Sequence, residues 1–267
     1  MSDNILEIKN VTKKFTLGND KIITACDNIT FNVKRGETVA IVGESGCGKT
    51  TLLRGIMNID PITSGEILFY PKNENCRDIA KLKGEELRKN YRHIQMIFQD
   101  ATTAFNPRMR IKNIIMEPLI NFNIIKKTEI NEKAAELLEL AELSKDYSDR
   151  YPHQLSGGER QRAAIARAAS ISPEIIVCDE ATSALDVSVQ DNIIKLLVKL
   201  QREKGLTYIF VSHDLALVSA FAHRIVVMYM GKIVEIIDGD KLQEAKHPYT
   251  KALLNSAITL RKQNIKH

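Results

Sequence analysis

Cysteine is scarce in this chain of 267 residues: Cys26, Cys47, Cys76 and Cys178 are scattered and never spaced C-x-x-C. That spacing argues against a zinc site or a disulfide framework and points to a reducing compartment. Long apolar runs are missing as well. None approaches the roughly 18 residues that a bilayer span needs, and the first ten residues, MSDNILEIKN, lack the apolar core of a secretory leader. Charge of one sign is not in strong excess, since 38 Lys and Arg face 33 Asp and Glu for a net +5. Such a balance fits a solvated surface, an anionic ligand or a membrane-facing position. No basic stretch is interleaved with aromatics and no reader motif occurs, so nucleic acid is not an expected partner. Sustained heptads are absent too. The rest is ordinary globular composition, 44% hydrophobic and 27% charged, long enough for one large α/β domain or two small ones with ample core.

What is present is periodic. Ile5, Glu7 and Lys9 alternate with Leu6 and Ile8, and Ile29, Phe31 and Val33 with Thr30 and Asn32, so residues 5–33 read as short strands. A turn containing Gly18 and Asn19 is expected between Leu17 and Asp20, and Phe15 reads by itself as a sheet-packing aromatic. Thr38 to Val42 is an apolar run of buried parallel-strand type. GESGCGKT, residues 43–50, follows at once, and then Leu52, Leu53, Ile56 and Met57 take helical spacing. This strand–loop–helix setting is the one that G-x-x-x-x-G-K-[ST] requires. By chance the pattern arises in roughly one chain in a hundred. The glycines let backbone amides close around phosphates, Lys49 reaches the β- and γ-phosphates, and the Thr50 hydroxyl holds Mg²⁺. The stretch reads as a nucleotide site.

Further along, residues 60–70 read as turn and strand, a helix is expected around Glu85 to Tyr91, and Ile94 to Phe98 forms a strand ending in Gln99 and Asp100. Residues 111–143 are helical in pattern, with Ile130, Ala134, Leu137, Leu138 and Ala141 on one face. LSGGERQR, residues 155–162, places Ser156 at an N-cap, with Gly157 and Gly158 opening an alanine-rich helix. It is a second helix start that presents N–H donors to an anion. Ile175 to Cys178 is another buried strand, ending in Asp179 and Glu180. An apolar strand ending in acid puts Asp179 in a Mg²⁺ shell, with Glu180 placed to polarise a water. Residues 189–204 form an amphipathic helix, and Leu206 to Val211 a third buried strand that ends in Ser212, His213 and Asp214. Ligands bind at the carboxyl ends of parallel strands, which puts His213 near the γ-phosphate with Lys49 and Glu180. A strand pair at 224–229 and 233–237, one or two short helices over 240–260 and a frayed polar tail complete the chain.

Taken in order, the 43–50 loop, Gln99, LSGGERQR, VCDE at 177–180, SALD at 183–186 and His213 resemble the nucleotide-binding subunit of ATP-binding cassette (ABC) transporters, over essentially the whole chain. The resemblance implies an α/β fold: a P-loop NTPase (RecA-like) core with an N-terminal antiparallel β subdomain and an inserted α-helical subdomain. It places core and β subdomain at 1–87 and 160–237, the helical part at 88–159 and a helical tail at 238–267. It implies ATP and Mg²⁺ as ligands and assigns roles. Phe15 stacks on adenine. Gly43, Glu44, Ser45, Gly46, Cys47, Gly48, Lys49, Thr50 and Thr51 surround the phosphates, and Thr50, Gln99 and Asp179 attend the metal. Glu180 is the catalytic base, Gln99 touches metal or attacking water, and His213 contacts the γ-phosphate. Ser156, Gly157 and Gly158 reach ATP held by the opposite subunit, and Asp186 lies in a loop that crosses that interface.

Finer matches, at FQDATTAFNPR (98–108), YPHQLSGGERQR (151–162), SALDVSVQ (183–190), MYMGKIVE (228–235) and HPYTKALL (247–254), are similar to the peptide and nickel importers. They imply two integral-membrane permease subunits, an extracytoplasmic solute-binding protein acting indirectly, and a second ABC ATPase subunit. A paralogous heterodimer is expected over a homodimer. The implied place is the cytoplasmic face of the plasma membrane, as a peripheral subunit. Ala101-Thr102 departs from the proline-containing version of the Gln99 loop, and the chain stops at His267 without the cysteine-containing tail of many peptide-branch members. Oligopeptides or dipeptides are the expected cargo, with a nickel or metal chelate as the alternative. A non-transport cassette ATPase acting on ribosomes or DNA is disfavoured by a single P-loop and the lack of heptads, and FNPR and HPYT argue against an exporter. Cys47, beside Lys49 at a helix N-terminus, is either a reactive thiol or a small filler of the loop.

Overall fold

Three strands, Thr38–Val42, Ile175–Asp179 and Thr207–Ser212, are buried at every position, as strands covered on both faces must be. Around them the computed structural model describes residues 3–17, 21–99 and 104–264. The chain divides into two compact units, residues 1–90 with 207–267, and residues 91–206.

The first unit begins with β1 (Asn4–Leu17) and β2 (Lys21–Lys34), followed by β3 (Thr38–Val42), α1 (Lys49–Ile56), β4 (Ser64–Phe69), β5 (Arg77–Asp78) and α2 (Gly84–Asn90). The second unit holds β6 (Ile94–Ile97), α3 (Ile111–Asn121), α4 (Ile130–Leu140), α5 (Gly157–Ala169), β7 (Ile175–Asp179) and α6 (Val187–Lys204). The chain then returns to the first unit with β8 (Thr207–Ser212), α7 (Leu215–Val218), β9 (Arg224–Tyr229), β10 (Lys232–Asp238) and α8 (Pro248–Asn264).

An antiparallel sheet in the order β2-β1-β4-β5 is the N-terminal β part. In the same unit β3 lies between β8 and β9, parallel to both, and β10 pairs antiparallel with β9. In the second unit β6 and β7 are a parallel pair. The fold is therefore mixed α/β, with a parallel strand–loop–helix core, an antiparallel β part and a helical part.

Three expectations change, the first being that α8 is a single helix of 17 residues that runs to Asn264, into the stretch read as a frayed tail. The alternation over residues 5–33 reads as several short strands, yet β1 and β2 are 14 residues each. They stay paired through register shifts between Ile8 and Lys14, and Asn10 and Asn28 adopt left-handed backbone at φ 51° and 53°. Asparagine tolerates that conformation, so the strands bend without breaking. The helical pattern over 111–143 is two helices, because Asn123, also left-handed at φ 53°, turns the chain after α3. Of the apolar face read on α4, Ala134, Leu137, Leu138 and Ala141 are buried and Ile130 is half-buried. The alanines of α5 are buried as well, and they let it pack closely against α3, α4, β6 and α6. No helix among the described residues is long and apolar enough to cross a membrane. The turn at Gly18 and Asn19, the Asp100 strand end and the Ala101-Thr102 departure lie outside the described residues.

Burial also ranks the thiols. Cys26, Cys47 and Cys178 are buried and Cys76 is exposed. Loss of hydration pushes Cys26 up to about 12, and burial followed by the neighbouring Asp179 carboxylate pushes Cys178 up. The thiolate is the reactive form. Alkylation of the native chain at neutral pH, followed by peptide mass spectrometry, is expected to label Cys76 first, and early labelling of Cys26 or Cys178 would contradict this packing.

Candidate nucleotide site

Strand β3 delivers the chain into the 43–50 loop, and α1 begins at Lys49. The backbone turns left-handed at Gly48, φ 107°. A Cβ on Gly48 would stand 2.1 Å from the Ala25 carbonyl oxygen, and one on Gly43 would stand 2.2 Å from that of Met228. Only glycine fits at such distances. The loop is also tied from outside, because the Gly231 amide donates to the Cys47 carbonyl at 3.0 Å.

The N-terminus of α1 carries no side-chain cap and no acid in its first turn. A helix start of this kind suits an anion, since N–H groups and dipole point outward together. Lys49 is 4% exposed, and its ammonium donates to the carbonyls of Gly43 and Glu44 at 2.7 and 2.8 Å. Glu44, Ser45, Gly46 and Thr50 are exposed, and Thr51 is half-buried. These residues fit a phosphate chain, with the Thr50 hydroxyl at the rim for a cation. Cys47 is 6% exposed, with Sγ 3.8 Å from the Lys49 amine. Its burial favours the filler of the loop.

His213 follows β8, and Val42 pairs with Ser212 in the parallel register. Gly43 and His213 therefore leave adjacent strands at the same level, with the His213 side chain exposed. Asp214, next in sequence, caps α7 by accepting the Leu217 amide at 2.9 Å. Phe15 stands on β1 opposite Ile23, 38% exposed, with the Lys13 amine 4.8 Å from its ring centroid.

In the second unit the register of β6 and β7 pairs Ile97 with Cys178. Two residues on, this brings Gln99 beside Glu180, and the Gln99 amide donates to Glu180 Oε2 at 3.1 Å and to Ser183 Oγ at 3.4 Å. Asp179 ends β7, 8% exposed. Glu180 sits in left-handed backbone at φ 45°, an uncommon conformation for a non-glycine residue and one that clusters at functional sites. The Ser183 amide and hydroxyl both donate to the Glu180 carbonyl at 3.0 Å, which holds that turn. Among the described residues no cluster of three or more His, Cys, Asp or Glu side chains is placed to hold a metal ion. The donors named for a cation are single groups, of the kind Mg²⁺ takes alongside phosphate oxygens and water.

The LSGGERQR helix start differs from that of α1. Ser156 Oγ accepts the Glu159 amide at 3.3 Å, and the Ser156 amide donates to the Glu159 carboxylate at 2.7 Å, forming a capping box. The Tyr147 hydroxyl and then the Ser156 amide, both donating to Glu159, hold its carboxyl below the usual range. Glu159 thus stays ionised at the positive end of α5 and offsets part of its dipole. The box leaves the amides of Gly157 and Gly158 for other acceptors, and Ser156 is exposed. A Cβ on Gly158 would meet Val189 Cγ1 of α6 at 2.6 Å. Asp186 caps α6, accepting from the Val189 amide at 3.0 Å and the Ser188 hydroxyl at 2.7 Å. Gln190 secures the preceding turn through the carbonyls of Thr182 and Leu185 at 2.8 and 3.0 Å.

Sequence reasoning named Ser156 as a cap but missed Glu159, although S-x-x-E is the legible sign of a capping box. It also missed Ser183, Gln190 and Tyr249. The Tyr249 hydroxyl accepts the Glu44 amide of the phosphate loop at 2.9 Å, and no local pattern announces that contact.

A family model described as ABC transporter matches residues 26–183. The chain is 45% identical over 262 residues to the oligopeptide transport ATP-binding protein OppF of Bacillus subtilis, covering 97% of this chain and 84% of that one. It is 43% identical to the dipeptide transport ATP-binding protein DppF of Lactococcus lactis, covering 94% and 80%. Among solved structures it is similar to the dimeric post-hydrolysis state of the ATP-binding cassette MJ0796 bound to ADP and Pi, with TM-score 0.75 and 35% identity over 87% of this chain and 98% of that one. It is also similar to cbiO1 of Clostridium perfringens, part of the transporter complex cbiONQ, with TM-score 0.78 and 26% identity over 99% and 98%.

Gly48→Ala tests the loop directly. Its Cβ would force the Ala25 backbone away, so thermal unfolding without nucleotide is expected to shift down by several degrees, as for a cost of about 1–3 kcal/mol. An unchanged melting temperature would mean that the loop tolerates a side chain there.

Proposed function

The chain belongs to the ABC transporter family, and from that premise we propose that it is the ATP-hydrolysing subunit of a multi-subunit importer for oligopeptides or dipeptides. The observation that carries the cargo is that relatives named for peptide transport are alike to it through nearly its whole length. The nickel alternative has no observation of its own.

The chemistry is ATP hydrolysis by in-line attack of water on the γ-phosphorus. Lys49 and the amides of residues 45–51 neutralise and orient the phosphates, so most of the catalysis is positioning and charge stabilisation. Thr50 and Asp179, with Gln99, would hold Mg²⁺, which when bound spreads the charge of the β- and γ-phosphate oxygens. Glu180 takes the proton of the attacking water, and its hydrogen bond from Gln99 supports a shared task. His213 contacts the γ-phosphate, and the exposed ring of Phe15 stacks on adenine.

Ser156, Gly157, Gly158 and Asp186 serve ATP held by a second cassette subunit, a paralogue in this proposal. The exposure of Ser156 beside two glycine amides supports that assignment. Two permease subunits in the membrane receive the motion through the Gln99 region, and a solute-binding protein on the far side delivers the cargo. The chain itself sits peripherally at the cytoplasmic face. The domain limits carried by the resemblance, with the helical part at 88–159, belong to the same proposal.

Glu180→Gln is expected to lower steady-state ATP turnover about 10²–10⁴-fold while MgATP still binds, because base assistance is lost. Near-normal hydrolysis would remove Glu180 from that role. Ser156→Arg is expected to leave nucleotide affinity of this chain intact while abolishing ATP-dependent pairing, read by light scattering of the assembled cassettes. Weakened ATP binding by the isolated variant chain would sink the split-site assignment.

A further inference from the structure

The HPYT stretch, so far only a mark of resemblance, has a structural place at the phosphate loop. His247 starts α8 by accepting the Tyr249 amide on Nδ1 at 3.2 Å. Glu235 of β10 accepts the amides of Lys246 and His247 at 2.7 and 3.1 Å. The two residues that lead into α8 are therefore tied to the edge strand. That anchor sends Tyr249 to the loop, where its hydroxyl accepts the Glu44 amide at 2.9 Å. The ring lies against Tyr229, with centroids 4.4 Å apart and a 41° tilt. Tyr229 ends β9 one residue after Met228, whose carbonyl is the one that Gly43 abuts.

We propose that Tyr249 is a positioning residue of the phosphate loop, and that through it the C-terminal helix sets the affinity of this chain for nucleotide phosphates. The peptide joining Gly43 to Glu44 is held on both sides, since its N–H goes to Tyr249 and its carbonyl, that of Gly43, receives Lys49. Without the tyrosine hydroxyl the Glu44 amide loses its partner, the first half of the loop is held by Lys49, the Cys47 amide and its glycine contacts alone, and Lys49 is presented less uniformly. The effect belongs to binding: Tyr249 has no part in activating water, so the chemical step is left alone. Helix α8 also packs against α7, which follows His213. One C-terminal element thus touches the loop directly and the His213 segment through α7.

The inference rests on the nucleotide reading of the 43–50 loop, and the two can fail separately. Tyr249→Phe keeps the ring and removes the acceptor. In the full-length chain, KM and Kd for MgATP are expected to rise about three- to tenfold, the range that one lost hydrogen bond produces, with kcat within twofold. Amide hydrogen exchange at Glu44 is expected to quicken in the same variant. Unchanged affinity, or a fall in kcat at constant KM, overturns the proposal. If Tyr249→Phe also lowers the melting temperature, exchange at Glu44 relative to the rest of unit one decides, and uniform quickening overturns the assignment. Failure of the wild-type chain to bind MgATP would instead overturn the nucleotide reading itself.

Discussion

The approach of Gly48 to the Ala25 carbonyl and of Gly43 to that of Met228 is the contact on which the functional half of the first unit depends. Both carbonyls belong to strands, β2 and β9, whose positions are set by sheet pairing elsewhere. The loop must therefore fit a gap that the sheets have already defined. Any side chain at either glycine would lift it away, with the start of α1 and the Lys49 ammonium carried along. Conformational freedom alone would not demand glycine so strictly. It is the combination of left-handed backbone at Gly48 and backbone atoms on the far side that leaves no other residue.

Two helix starts in this chain face the same electrostatic problem and solve it differently. Helix α1 presents its first turn without side-chain cap or acid, so nothing in that turn offsets its dipole toward an anion. Helix α5 spends two amides on its own capping box and places the ionised Glu159 at its positive end. An anion served by α5 must accept a weaker field and rely on Ser156 and the two glycine amides, in a geometry set by the close packing of Gly158 against Val189. In the function proposed above, that difference is a division of labour in which α1 binds and α5 senses. A strong site would hold phosphate without a partner, whereas a weak one contributes only when the rest of the ligand is already fixed.

The parts of this arrangement legible in the sequence are those written in short-range pattern. Val42 followed by GESGCGKT, and Cys178 followed by two acids, are strand ends marked by an abrupt change from apolar to functional residues, and the structure puts them at strand ends. The pairing of Gln99 with Glu180 follows from parallel register, which no local pattern encodes, though both residues could be named by resemblance. The long bent strands β1 and β2 escaped because left-handed asparagines preserve pairing where alternation fails. Tyr249 escaped for a deeper reason. It is 205 positions from Glu44, and a hydroxyl meeting a backbone amide leaves no signature in the residue that donates.

The Glu44 peptide shows why such a contact matters. The Lys49 ammonium is buried, and a buried charge needs partners at all times. Here the loop's own carbonyls at Gly43 and Glu44 provide them. A phosphate that recruits Lys49 competes with those carbonyls, so binding exchanges one set of charge-assisted hydrogen bonds for another, and part of the gain is offset by what the loop gives up. The exchange also removes a restraint from the Glu44 peptide at the moment the loop must stay closed. Tyr249 holds the opposite side of that peptide through a bond that the phosphate does not contest. A restraint of this kind stabilises the loop equally before and after Lys49 changes partners, which is the condition for a preorganised site rather than one that must be ordered by its ligand.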